Sequence, residues 1–387
     1  MARTDGLFRE VHVLLSLLLL TATASAKPFA DGLDIRFHDH SLFIHANDGH
    51  VARLNPADGL GGFKYDAAKQ QVTIDYDTYA CQITTNITYN LATLKAKLEN
   101  APAFELHREK NYKGALAGFQ RAITADPTWP IPAYNAASAQ QLLGDKDAAI
   151  ATLAPWLKQA PIRTYVRIHQ DPELAPLAVR AEVKAVEAAK PGDVEVTQKG
   201  ITGGAAYSAT HNLVAIVREE SDWGGSTFMR DVEIYDAKGA LVTAVPLVQL
   251  DETSPDCYKD DPTSCEFAGT AAAKKVKNRA ARVQLLLRAL GFSRAKAEGG
   301  DGAWEDGGAK RKVRFPAHHL GLVERDGTIR IRRGNTEVTT SMLASAKLDR
   351  ALLVEELSAI VVWSYRPGAE GCESSNPTTV QFIPVTL

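Results

Sequence analysis

Between Asn111 and Pro161 the chain repeats itself at an interval suited to packed helices. The stretch "NYKGALAGFQRAITADP" (Asn111 to Pro127) places Ala115, Leu116, Phe119, Ala122 and Ile123 three or four residues apart, one stripe of a 3.6-residue helix. Thirty-four residues later, "DKDAAIATLAPWLKQAP" (Asp145 to Pro161) holds Ala149, Ile150, Leu153, Trp156 and Leu157 at the same offsets. Each segment stops at a Pro, which cannot continue a helix interior. The echo therefore predicts two amphipathic helices that must bury their stripes against neighbours.

A 34-residue period of helix, turn and helix resembles the tetratricopeptide repeat family, over about residues 96–190 of 387. Ala115 and Ala149 match the small residue that lets neighbouring helices approach. Asn135 matches as well, as do Gly144 at the inter-helix turn and Tyr112 just after the equivalent turn. The Trp, Leu, Gly and Tyr usual in the first helix are largely missing, and Pro155 falls inside the second helix of the second repeat, where it predicts a kink. "IRTYVRIHQDPELAPLAVRAEVKAVEAAKPGD" begins a third unit, in which "DPELAPL" reads as a cap, and the stack ends at Pro191. Two repeats and a cap fall below the usual minimum of about three, so they must lean on the rest of the chain. The resemblance implies a concave face lined by the first helices, with Phe104, His107, Arg108, Tyr134, Asn135, Ser138 and Gln141 as a groove for a protein segment. The alternative role for this face is structural, docking a β-rich region.

On either side the period drops to two. Residues 27–95 carry "LDIRF", "LFIHA", "HVARL" and "QVTIDY" between turn-forming Asn, Asp and Gly, a small β meander. Residues 192–387 carry "NLVAIVREE", "RDVEIYD", "ALVTAVPLV", "LGLVERDGTIRIRR", "SAIVVWSY" and "TVQFIPV", with one long helix near residues 271–290 stopped by Gly291. The expected fold class is α+β: a short helical-hairpin module, residues 96–191, between an N-terminal β meander and a C-terminal antiparallel β-rich domain carrying one long helix.

A length of 387 residues with 45% hydrophobic and 23% charged residues suits two or three globular domains. The net charge of -2 gives no bulk field to gather nucleic acid. Residues 1–26 join a charged start, the apolar run from Val11 to Leu20 and the A-x-A site of Ala24 and Ala26, the pattern of a signal peptide. The run is about half of what a membrane span needs. The expectation is an exported protein, monomeric or weakly associating, periplasmic or extracellular, with no transmembrane segment in its mature chain. In such a compartment Cys81, Cys257, Cys265 and Cys372 can form two bridges. Three pairings exist; Cys257 with Cys265 is the local choice and leaves Cys81 with Cys372, while two free buried thiols are the alternative.

No nucleophile elbow, phosphate loop or zinc-hydrolase pair occurs, so no catalytic residue, metal or cofactor is assigned. His38, His40, His45 and His50 crowd together with Asp34, Asp39 and Asp48, but several fall at turns where an exposed imidazole costs nothing. Carboxylates from Asp251 to Glu266 face a helix bearing Lys274, Lys275, Lys277, Arg279, Arg282 and Arg288 without one acid, which reads as mutual neutralisation. Trp223 and Trp304 sit in Gly- and Asp-rich loops and are second candidate contacts, since such rings stack on sugars or grip a partner. The expected role is binding of a protein segment or cell-envelope component without catalysis. The rival is a glycan-directed hydrolase or carbohydrate-binding protein using these Trp rings and nearby carboxylates.

Overall fold

The computed structural model describes residues 28–57, 59–77, 84–221, 228–253, 267–299, 301–304, 311–325, 327–342, 347–365 and 379–387. The signal-like segment, Trp223 and all four cysteines, with the bridges expected of them, lie outside these residues. The architecture is mixed, with antiparallel sheets at both ends and helices in the middle, as the sequence predicts. Two compact units divide the chain, Met1–Leu153 and Ala154–Leu387.

In the first unit, β1 (Asp34–His38), β2 (Ser41–His45) and β3 (Val51–Pro56) form one antiparallel sheet. A second is formed by β4 (Gly59–Asp66), β5 (Gln71–Asp77) and β6 (Thr84–Asn90). Alternation sorts their faces: β5 buries Val72, Ile74 and Tyr76 and leaves the residues between them more open. Helix α1 (Leu91–Arg108) follows β6 directly and sets Leu91, Leu94 and Leu98 into the same core as Ile35, Leu42, Ile44 and Ile74. The opposite side of α1 meets α2 (Tyr112–Ala125), which packs in turn on α3 (Ile131–Leu142). Ala103, Ala115, Phe119, Ala136 and Ala139 fill these contacts. At Gly118 the approach is so close that a Cβ would lie 2.6 Å from that of Ala103. Helix α4 (Lys146–Gln159) stays helical through Pro155, and the unit boundary falls inside it.

The 34-residue echo extends to the turns. After α3, the N–H of Gly144 bonds the carbonyl of Gln141 at 3.0 Å and that of Asp145 bonds Gln140 at 2.9 Å, the double bond of a Schellman cap. After α1, Lys110 bonds His107 at 2.9 Å and Asn111 bonds Leu106 at 2.8 Å in the same way. Gly144 takes the left-handed conformation at φ 87°, and Lys110 takes it at φ 64° with a side chain attached. The following caps also match: Asn111 Oδ1 accepts from Gly114 N at 3.1 Å, and Asp145 Oδ1 from Ala148 N at 3.0 Å.

In the second unit the end of α4 is followed by α5 (Pro161–Gln170), the short α6 (Ala181–Lys184) and a two-residue-stranded hairpin, β7 (Val196–Thr197) and β8 (Gly200–Ile201). Strands β9 (Ala205–Ser208), β10 (Leu213–Ser221), β11 (Phe228–Asp236), β12 (Leu241–Val248) and β13 (Ser293–Arg294) form a sheet in the order β12-β11-β10-β9-β13. Helix α7 (Gly269–Ala289) lies within two residues of its predicted span and ends on a third Schellman cap, with Gly291 N to Arg288 O at 2.9 Å and Phe292 N to Leu287 O at 3.0 Å. A second sheet pairs β14 (Ala297–Gly299), β20 (Lys347–Val354), β21 (Ala359–Tyr365) and β22 (Thr379–Pro384). A third runs β15 (Asp301–Trp304), β16 (Arg311–Phe315), β17 (Leu320–Arg325), β18 (Thr328–Arg333) and β19 (Thr336–Met342).

The four-stranded sheet is covered on both faces. Leu352, Val354, Val361 and Trp363 join the core of the β9–β13 sheet, while Leu353, Ile360, Val362 and Ile383 join Phe315, Leu322, Ile329 and Ile331 of the third sheet. That is why "SAIVVW" reads as an unbroken apolar run rather than an alternation. Strand β12 is an edge. Pro246 lies within it, where the missing N–H is tolerated, and Arg163 Nε of α5 donates to the carbonyl of Val242 at 2.9 Å. Among the described residues no helix is long and apolar enough to cross a membrane.

Candidate functional site

Helices α5 and α7 both pack against β12. Between them and α6 they leave a cleft of about 700 Å3 within the second unit, in the range of small-molecule sites. Its apolar lining comes from Val245 and Pro246 of β12 and from Val283, Leu286 and Ala289 of α7, and Leu285 stands exposed at the rim. The α7 residues recur at three- and four-residue spacing, so a single helical stripe serves both core and cleft.

One wall is a hydrogen-bonded cluster. The buried Tyr165 hydroxyl donates to Glu187 Oε1 at 2.8 Å, and Lys184 Nζ reaches the same oxygen at 2.7 Å. Burial alone would raise the Glu187 pKa, but these donors outweigh it and hold the carboxyl ionised. Burial and the neighbouring carboxylate push the Tyr165 hydroxyl far above its ordinary range, so it stays a donor. His169 stands one turn further along α5, its ring 4.0 Å from that of Tyr165 and its Nδ1 2.9 Å from the Tyr165 carbonyl. Since a carbonyl only accepts, Nδ1 carries the proton, and burial lowers the pKa so that the neutral ring is favoured.

The other wall is cationic. Arg279 grips the buried Glu252 with both nitrogens, at 2.5 and 2.8 Å, and Lys275 adds a third contact at 3.1 Å. Burial would raise the Glu252 pKa; these cations and the Gln249 N–H at 2.9 Å bring it down to about 2. Arg279 is therefore spent on structure, realising part of the neutralisation the sequence suggested. Arg282, one turn on, is exposed, lines the cleft and has no carboxylate partner among the described residues. Among the described residues the lining contains a single carboxylate, Glu187.

The residues expected to form a groove fall into two sets. His107, Tyr134 and Ser138 are buried, with Ser138 Oγ 3.3 Å from His107 Nε2 and the His107 ring 5.1 Å from Tyr112. Asn135 is half-buried and donates to Asn100 at 3.0 Å. Phe104 and Arg108 are exposed, Arg108 pairing with Glu105 at 2.8 Å. Gln141 is half-buried, and its Oε1 has no hydrogen-bond partner among the described residues. Trp304 ends β15; Trp223 lies outside the described residues. Among the described residues no group of His, Cys, Asp and Glu is arranged to hold a metal. The cleft was not legible in the sequence, because its walls come from segments as far apart as Tyr165 and Ala289. The only local signal was the acid-free basic helix.

No protein-family model matches this chain, and no curated protein or solved structure matches it either.

Proposed function

We propose that this is an exported, non-catalytic binding protein whose second unit takes up an amphipathic, anionic component of the cell envelope in the cleft between α5, α7 and β12. The observation that carries the reading is Arg282, a cation without a carboxylate partner among the described residues, beside an apolar lining of Val245, Val283 and Leu286. A ligand with an acidic head and an apolar body satisfies both, whereas a polar solute would leave the apolar lining wet. Glycoside hydrolysis ordinarily needs two carboxyl groups flanking the bond, and the described residues of the lining offer one, so the binding reading is preferred to the rival hydrolase. Export rests on the signal-like pattern of residues 1–26.

Titration with dansyl-labelled undecanoate, followed by dansyl emission, tests the reading. Arg282→Gln is expected to weaken binding about fivefold with little change in Tm, because Arg282 is exposed. Equal affinity of the variant and the parent would remove the cleft from consideration. A second reading keeps the helical hairpins, with their likeness to tetratricopeptide repeats, as a site for a protein segment. It is favoured by the Gln141 Oε1, which has no hydrogen-bond partner among the described residues, and by the exposed Phe104 ring.

A further inference from the structure

We infer that the outward face of the β15–β19 sheet is a docking trough for an anionic polysaccharide, separate from the cleft. The register defines it. Across β16, β17 and β18, Lys312 stands opposite Val323 and Val323 opposite Arg330; in the next row the order is Arg314, Gly321, Arg332. The alternate residues of the same strands, Val313, Phe315, Leu322, Ile329 and Ile331, are buried in the core, so these rows face outward. All four cations are exposed, and Arg325 prolongs the face at the end of β17.

The shape follows from residue size. A long cationic side chain rises on each side of β17, and between them lie only a valine and a glycine. A Cβ built on Gly321 would meet nothing within 4 Å, so the floor is open. The two cationic strands are about 10 Å apart, and successive cations on one strand about 7 Å. Across β17 that separation exceeds the Debye length in physiological salt, about 8 Å, so the cations of β16 and β18 repel one another only weakly. Two described acidic positions border the face: Glu337, 3.9 Å from Arg332, and Asp301, opposite Arg314 in the ladder. Glu324 turns inward and accepts from the Gly327 N–H at 3.0 Å.

Such a trough admits one extended chain with regularly spaced negative groups, which guanidinium forks bind as carboxylate or sulfate pairs. Single-stranded nucleic acid would call for aromatic rings to stack its bases, and none is found among the described side chains of these rows. A membrane surface would call for a cluster of projecting apolar anchors, whereas Val323 is half-buried and Met342, at the end of β19, is the one large exposed apolar side chain on this face among the described residues.

Isothermal titration of the purified protein at about 50 mM salt, with polygalacturonate, neutral dextran, oligothymidylate and phosphatidylserine vesicles, tests the assignment. Polygalacturonate should bind and dextran should not. Arg314→Gln with Arg330→Gln, one cation from each side, should weaken binding about tenfold or more. Gly321→Glu is the second variant; it leaves every cation in place, has room for its side chain and should abolish binding by putting an acid in the floor. Unchanged affinity in either variant, no binding of polygalacturonate, or tighter binding of oligothymidylate or vesicles would overturn the proposal.

Discussion

Glu252 is 2% exposed, yet it remains charged because Arg279, Lys275 and a backbone N–H converge on it. Its folded pKa, about 2, lies below the ordinary 4.5. A depressed carboxylate contributes stability that is complete above its unfolded value and disappears as pH falls through the folded one. The window here therefore runs from about pH 5 down to about pH 2. Glu252→Gln is expected to cost about 2 to 3 kcal/mol at pH 7 and to flatten the acid limb of a urea-denaturation series across that window. A parallel acid limb in the variant would show that other carboxylates set it. His169 acts in the same direction: burial lowers its pKa, so the stability it contributes is lost as pH falls below 6.5.

At the scale of elements, the helical hairpins hold one turn twice with different residues. Gly144 adopts its left-handed conformation without a Cβ penalty, while Lys110, thirty-four residues earlier, pays it. Lys110→Gly should therefore raise stability, by about 0.5 to 1 kcal/mol, measured as a higher urea midpoint at unchanged m-value. A lower midpoint would mean that the backbone freedom added to the unfolded chain dominates. The stripes of α2 and α4 were legible because burial on a helix imposes a period, and Ala115, Phe119 and Ala149 are indeed buried. The central sheet was legible as an apolar run. The cleft and the trough were not, for different reasons. Which of the bases on α7 Glu252 consumes depends on a distance across the fold, and which cations flank Gly321 depends on strand register, and neither is encoded in local order.

For the molecule as a whole, each unit carries its own core: Ile35, Ile74 and Leu94 belong to the first, and Val214, Phe315 and Val361 to the second. Two separately packed cores need not melt together. Scanning calorimetry should resolve two transitions, of which Glu252→Gln lowers only the one belonging to Ala154–Leu387. A single transition displaced as one by that substitution would show the units to be energetically inseparable. The β12 edge bears on behaviour at high concentration. A strand with a bare flank can recruit the same strand from another copy and propagate fibres. Pro246 withholds a donor from any such recruit, and Arg163 already occupies the Val242 carbonyl. Crowded copies of the chain are thereby denied a template along this flank.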